Sequence, residues 1–323
     1  MVKPKVLISR RWPEAVERSM ADRFDLTLNE ADRPMTVADF RAAFAAFDAV
    51  CPTVTDKLGP DAFDLPQART KVLGNFGVGF SHIDLEGAKR HGMAVTNTPD
   101  VLSDCTADIA MTLMLMVARR AGEGERELRA GEWAGWRPTH MIGTKVSGAT
   151  LGIIGFGRIG QAMAQRAHHG FGMKILVQNR SPIAAEVLAR YGARQVGSVE
   201  ELLPDCDFLS LHCPGGAANL HLINAERLAL MRRDAFLINT ARGEVVDEAA
   251  LAAALAEHRI GGAGLDVFER EPQITAALMD CPNLVMLPHL GSATRATREA
   301  MGFRVMENVS AFFDGKAPPD RVA

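Results

Sequence analysis

The chain lacks paired cysteines, a long apolar run and an excess of either charge, and each absence removes a class of function. The five cysteines (Cys51, Cys105, Cys206, Cys213, Cys281) are scattered with no Cys-x-x-Cys pair. That argues against structural zinc and against a secreted disulfide framework, and it fits a reducing cytoplasm. The longest apolar run, Ile109 to Ala118, is about half of the ~20 residues a bilayer span needs, so no membrane partner is expected. Val6-Leu7-Ile8 is too short for the apolar core of a signal peptide and reads as a first strand. Lys and Arg number 36 against 39 Asp and Glu, a net charge of −3, so neither nucleic acid nor an anionic membrane surface is an expected partner. Small ligands remain. What is present in quantity is apolar residues, 47% of 323, enough for sizeable cores and, at about 100–200 residues per domain, for two of them.

Short apolar runs alternate with helix-like stretches from Lys5 to Asn97: Val6 to Ile8, then Pro13 to Ala21; Thr36 to Phe47, then Ala49 to Cys51; Val72 to Gly74, then Ile83 to His91. This is an α/β pattern. Asp100 to Arg120 has no proline or glycine and is apolar all round its middle, which predicts a long buried helix connecting two domains. A stronger series starts near Thr150, with strands predicted at 151–154, 174–178, 208–212, 235–239, 264–267 and 284–287. Such short, nearly continuous apolar runs belong to parallel strands covered on both faces. Between them, Ser198-Val-Glu-Glu201 forms a capping box that starts a helix, Asp247 to His258 is another helical stretch, and Thr294 to Phe313 is a final amphipathic one.

Gly155-Phe-Gly-Arg-Ile-Gly160 follows a strand and opens a helix, the context dinucleotide binding requires. Gly155 permits the tight turn, Gly157 lets backbone N–H groups approach a pyrophosphate at the helix N-terminus, and Gly160 allows close packing of helix on strand. Phe156, Arg158 and Ile159 belong to the same cofactor turn. About 20 residues on, a carboxylate at the end of the next strand would hold the ribose of NAD. Here that strand ends Gln178-Asn-Arg-Ser181. With no carboxylate to repel a 2′-phosphate, and with Arg180 and the neutral groups of Asn179 and Ser181 available to bind one, NADP(H) is the expected cofactor and NAD(H) the alternative.

A nicotinamide cofactor implies hydride transfer, which leaves the proton to a side chain. The one tyrosine, Tyr191, has Gln195 rather than lysine four positions on, which excludes a Tyr-Lys relay. Histidine is the remaining acid/base. Ligands of an open parallel sheet lie beyond the carboxyl ends of the strands, and of nine histidines only His212 and His289 follow a strand. Arg242 and the acidic cluster Glu269 to Glu271 follow neighbouring strands. A carboxylate beside a histidine favours its charged form, and an arginine offers a planar fork to a carboxylate, so together they specify reduction of a 2-oxo acid.

Three segments carry a resemblance: Asn239-Thr-Ala-Arg-Gly-Glu-Val-Val-Asp-Glu248, Gly264-Leu-Asp-Val-Phe-Glu-Arg-Glu-Pro272 and Leu287-Pro-His-Leu-Gly-Ser-Ala-Thr294. They resemble the signature blocks of the D-2-hydroxyacid dehydrogenase family. Asn97 to Leu102 and Gly131 to Pro138 are similar to its glyoxylate/hydroxypyruvate reductase members. The resemblance implies a Rossmann-type, doubly wound cofactor domain over residues 99–289. A smaller flavodoxin-like α/β substrate domain is implied over residues 1–98 and 290–323, with the active site in the cleft. It implies that Arg242 holds the substrate carboxylate and carbonyl, that His289 donates the proton and that Glu271 is its partner. The loop Asn75-Phe-Gly-Val-Gly79 would offer N–H groups to the substrate, with Asn75, Val78 and Gly79 in contact. Thr106 and Asp266 match positions near the nicotinamide, Cys213-Pro214 the wall under the adenosine, and Thr240, Ala241 and Gly291 fall beside the cofactor within the same blocks. His212 takes a cofactor-side role. A homodimer through the cofactor domain is implied, with Trp136 entering the partner subunit's site. The rival readings are a dinucleotide-sensing co-repressor and a dehydrogenase of another D-2-hydroxy acid such as phosphoglycerate. One departure stands out: where many members carry a longer Thr-rich loop after the Cys-Pro pair, this chain has Gly215-Gly216-Ala217-Ala218.

Overall fold

Parallel strands need crossovers of a dozen residues or more, and the alternation of apolar runs with helical stretches supplies them along most of the chain. The computed structural model describes residues 2–323 and forms two compact units, one running to Leu102 and resuming at Ala293–Ala323, the other spanning Ser103–Ser292. The second divide falls just beyond residue 289, where the family resemblance would put it. The reason is local: Asp266 takes the N–H groups of Leu290 and Gly291 at 2.6 and 2.8 Å and holds them in the second unit.

The first unit contains β1 (Lys5–Ile8), α1 (Glu14–Arg23), β2 (Asp25–Leu28), α2 (Val37–Ala46), β3 (Ala49–Cys51), β4 (Val72–Gly74), α3 (Leu85–Arg90) and β5 (Ala94–Thr96). Its strands form one parallel sheet in the order β2-β1-β3-β4-β5, the flavodoxin order. Phe40, Phe44, Phe63, Leu73 and Val95 fill one side of it. Helix α2 starts on a complete capping box between Thr36 and Asp39. The C-terminal helix Arg295–Phe313 packs on β4, and the tail returns antiparallel to β5, with Val322 N–H on Val95 O at 2.8 Å. Strand β2 escapes the sequence pattern because it is an edge: Asp25 and Thr27 face solvent and its leucines are only half-buried.

The second unit runs α4 (Ser103–Ala118), α5 (Ala121–Ala130), β6 (Thr150–Ile154), α6 (Arg158–Gln165), β7 (Lys174–Gln178), α7 (Ala185–Arg190), β8 (Ala193–Gln195), α8 (Val199–Leu202), β9 (Phe208–Leu211), α9 (Ala225–Leu230), β10 (Phe236–Asn239), α10 (Glu248–Ala256), β11 (Gly262–Leu265), α11 (Ala276–Met279) and β12 (Leu284–Met286). Its seven parallel strands lie in the order β12-β11-β10-β9-β6-β7-β8, the doubly wound Rossmann order with one strand added. Alternate strand residues serve two cores, Ile153, Val177 and Ile238 towards α4 and α6, and Ile154, Leu209 and Leu237 towards α8 to α10. Helix α4 is shorter than expected and not buried all round, since Asp108 and Thr112 face solvent. It packs on β11, where a Cβ at Gly264 would stand 2.9 Å from Leu113 Cβ. The small residues Gly262-Ala-Gly264 therefore read poorly as strand yet are what lets the helix approach. At Ser198 the box is half closed: its hydroxyl takes the Glu201 N–H at 3.1 Å, but Glu201 turns to the Gly197 N–H at 2.8 Å.

Candidate active site

Strand order reverses between β6 and β9, and the turns that leave these two strands meet there. Gly155 (φ 89°) lies so close to the β9 turn that a Cβ would come within 2.6 Å of Cys213 N and 2.7 Å of His212 C. Gly160 is equally crowded, since a Cβ on it would overlap the Gly155 carbonyl oxygen. Gly157, the N-cap of α6, has open space where its Cβ would stand. An open backbone at a helix N-terminus between two crowded glycines is a cradle for a pyrophosphate. The Oγ1 of Thr240 and Nδ1 of His212, both buried at the carboxyl ends of strands, have no partner, which suits a polar ligand at this end of the sheet. The residues present therefore fit a dinucleotide.

Several expected cofactor residues turn out to be engaged by protein. Phe156 is buried and its ring meets Tyr191 edge-on at 5.8 Å, while its N–H goes to Asn179 Oδ1 at 3.2 Å. Asn179 Nδ2 donates to Ser181 O at 3.0 Å, so its side chain braces the two turns against each other. Arg158, Arg180 and Ser181 are exposed, whereas Ile159 is half-buried. His212 Nε2 meets Ser210 Oγ at 2.9 Å, and burial pushes the ring down to about 4. A ring whose charged form is disfavoured by burial is a poor general acid. Burial also pushes the Cys213 thiol up to about 11, while Pro214 is exposed.

Arg242, Glu271 and His289 lie beyond β10, β11 and β12. His289 Nδ1 stands 2.8 Å from Glu271 Oε2, and Glu271 Oε1 accepts the Phe268 N–H at 3.1 Å. Both carboxylate oxygens are thus committed. Burial favours the neutral acid, but the hydrogen bond and charge of His289, the Phe268 N–H and the charge of Arg242 outweigh it and hold Glu271 below its ordinary range. With Nδ1 turned to the carboxylate, Nε2 is left to exchange a proton. His289 sits in a left-handed backbone (φ 55°), which costs on the order of 1 kcal/mol in a non-glycine residue and is held by its surroundings. Those surroundings are Asp266, which receives the next two N–H groups, and Thr106 Oγ1, which donates to Gly291 O at 3.3 Å. Burial raises the Asp266 carboxyl against these bonds and the His289 charge.

Arg242 is half-buried, and although burial opposes its charge, Glu271 and Glu244 support it. It remains a guanidinium. Two residues absent from the sequence-based site place it. Asn239 Oδ1 accepts the Ala241 N–H at 3.0 Å and its Nδ2 donates to Arg242 O at 2.9 Å, which shapes the turn after β10. At Gly243 a Cβ would overlap the Phe268 carbonyl, so only glycine lets the Arg242 turn lie against the segment that carries Glu271. Both lie inside the quoted block Asn239–Glu248, and that was the signal available.

In the first unit, Asn75 Nδ2 donates to Gly77 O and Gly79 O at 3.0 Å each, and Asn97 Nδ2 donates to Val78 O at 2.8 Å. Asn75 Oδ1 meets His82 Nε2 at 3.1 Å, a fourth contact that shapes this loop. Trp136 is 81% exposed. No helix among the described residues is long and apolar enough to cross a membrane.

A Gly-rich turn at the switch point of a doubly wound sheet, with a histidine–carboxylate pair and a half-buried arginine beyond its strand ends, defines a dinucleotide-dependent oxidoreductase. Residues 111–291 match the family described as D-isomer specific 2-hydroxyacid dehydrogenase, NAD binding domain. The chain is 42% identical to the glyoxylate reductase of Thermococcus onnurineus, over 99% of its own length and 96% of that protein. Among solved structures it resembles a glyoxylate reductase from Paecilomyes thermophila (TM-score 0.86, 30% identity, 100% and 99% of the two chains). It also resembles the NADPH-dependent glyoxylate/hydroxypyruvate reductase of Sinorhizobium meliloti in complex with NADP and malonate (TM-score 0.88, 34% identity, 99% and 97%). The chain belongs to the D-isomer specific 2-hydroxyacid dehydrogenase family.

Proposed function

We propose that the protein reduces a small 2-oxo acid, glyoxylate or hydroxypyruvate, to the corresponding D-2-hydroxy acid, with NADPH preferred over NADH. The observation that carries this reading is the 2.8 Å pairing of His289 with Glu271 on the segment against which Arg242 lies. When bound, the reduced nicotinamide supplies the hydride. Arg242 holds the substrate carboxylate through its fork and offsets the negative charge that grows on the carbonyl oxygen. His289 gives its Nε2 proton to that oxygen, and Glu271 steadies the imidazolium beforehand. Thr106, Asp266 and Gly291 keep His289 in place. The substrate role of Asn75, Val78 and Gly79 rests on the likeness of their loop to the family's sequence.

For the cofactor, β7 ends without a carboxylate and is followed by exposed Arg180 and Ser181, which favours a 2′-phosphate. The Sinorhizobium relative is described as NADPH-dependent. The exposed Leu128, Trp133, Trp136 and Ile142 lie on one stretch of the second unit and support a homodimer with Trp136 reaching the partner. The unpaired cysteines fit the cytoplasm.

The test is a panel of glyoxylate, hydroxypyruvate and phosphohydroxypyruvate assayed with NADPH and with NADH. Fastest turnover of glyoxylate or hydroxypyruvate with NADPH, giving D-glycerate from the latter, is expected. Binding of NADPH with no oxidation by any oxo acid would replace this reading with a dinucleotide-sensing protein.

A further inference from the structure

The short loop after Cys213-Pro214 lies directly on Arg242. A Cβ at Gly215 would overlap Glu244 Oε1 and stand 2.9 Å from Arg242 Cγ and 3.2 Å from Arg242 Cβ. Glu244 holds this loop at two points. Its Oε1 accepts the Gly216 N–H at 2.5 Å, and its main-chain oxygen accepts the His221 N–H at 2.8 Å. The loop is then stitched further along, Ile223 N–H to Val245 O at 2.9 Å and Asp247 N–H to Ile223 O at 3.0 Å. Gly216 has φ 99°, a backbone that other residues rarely adopt, so the turn is built for glycine at both positions. The only hydrogen bond the described residues give the Arg242 guanidinium is to its neighbour's carbonyl, Ala241 O at 2.6 Å. An arginine stem is long and rich in rotamers. What walls that stem decides where the fork points.

We propose that Glu244 is a positioning residue for Arg242: it clamps the Gly215–Gly216 turn against the arginine's Cβ–Cγ stem and so sets the grip on the oxo acid's carboxylate. This rests on the reading of Arg242 as the carboxylate anchor. It gives the two glycines a role in specificity, because a side chain at 215 would displace the Glu244 carboxylate and press on the Arg242 stem.

The test is a double-mutant comparison, with glyoxylate and NADPH kinetics for E244A in the native background and in R242K, and with NADPH binding followed by fluorescence. E244A is expected to raise the KM for glyoxylate about tenfold with NADPH affinity unchanged within about twofold, and to change it less than about twofold once Arg242 is lysine. E244Q keeps an acceptor oxygen and restores most of the loss, while G215A, which wedges the turn away from the stem, behaves like E244A. An equal penalty for E244A in both backgrounds, or an E244Q as impaired as E244A, overturns the clamp. Should E244A lose NADPH binding, G215A decides by the same two backgrounds. If R242K itself matches the native enzyme, the anchor reading fails instead.

Discussion

In the proposed reaction, His289 is set for proton transfer by what its neighbours take from it. Glu271 occupies Nδ1, and Asp266 and Thr106 fix the backbone that follows, so one ring nitrogen is left for chemistry. His212, the other histidine after a strand, has the opposite environment. Its stability contribution as a neutral ring is complete above the unfolded value near 6.5 and is lost as the pH falls towards about 4. H212Q lacks that term, so urea midpoints measured at about pH 7 and about pH 5 should fall less for the variant than for the native protein. Equal falls would mean that the ring is not held neutral. Asn179 presents its Oδ1 to the Phe156 N–H, a contact that an aspartate oxygen keeps. N179D should keep that contact but lose the Nδ2 bond to Ser181 O, and its charge should repel a 2′-phosphate, shifting the NADPH-to-NADH ratio of kcat/KM by about tenfold or more towards NADH. An unchanged ratio would remove this strand end from cofactor selection.

At the scale of elements, the site depends on turns that approach one another because a side chain is missing. G243A should push the Arg242 turn off Phe268, costing about 1–3 kcal/mol of stability and weakening oxo-acid turnover. Native melting and kinetics in that variant would show that the approach is slack. Strands β6, β7, β9 and β10 were legible because their apolar runs are covered on both faces, and β12, though an edge, because its run Leu284 to Leu287 is apolar throughout; the Gly155–Gly160 turn was legible from its place between strand and helix. Strands β2 and β8 were not, being short and only half covered at sheet edges, and β11 was displaced by its glycines. Position after strands singled out Arg242, the cluster Glu269 to Glu271 and the pair His212 and His289, and the family resemblance chose Glu271 and His289 among them. Asn239, Gly243 and Glu244 act through backbone contacts, and their one signal in the sequence was their place inside the block Asn239–Glu248.

Across the whole molecule, two parallel sheets of different order share one chain, and the histidine, its carboxylate and the arginine all lie in the doubly wound one. Proton donor and cofactor turn therefore belong to the same folded unit, and loss of the donor should leave the cofactor site intact. The most direct measurement is the oxidation of NADPH by glyoxylate with the native enzyme and with H289A, alongside NADPH binding to both. The account predicts rapid oxidation by the native enzyme, turnover lower by about 10²–10⁴ in the variant, and equal NADPH affinity. Near-native turnover in H289A would contradict it.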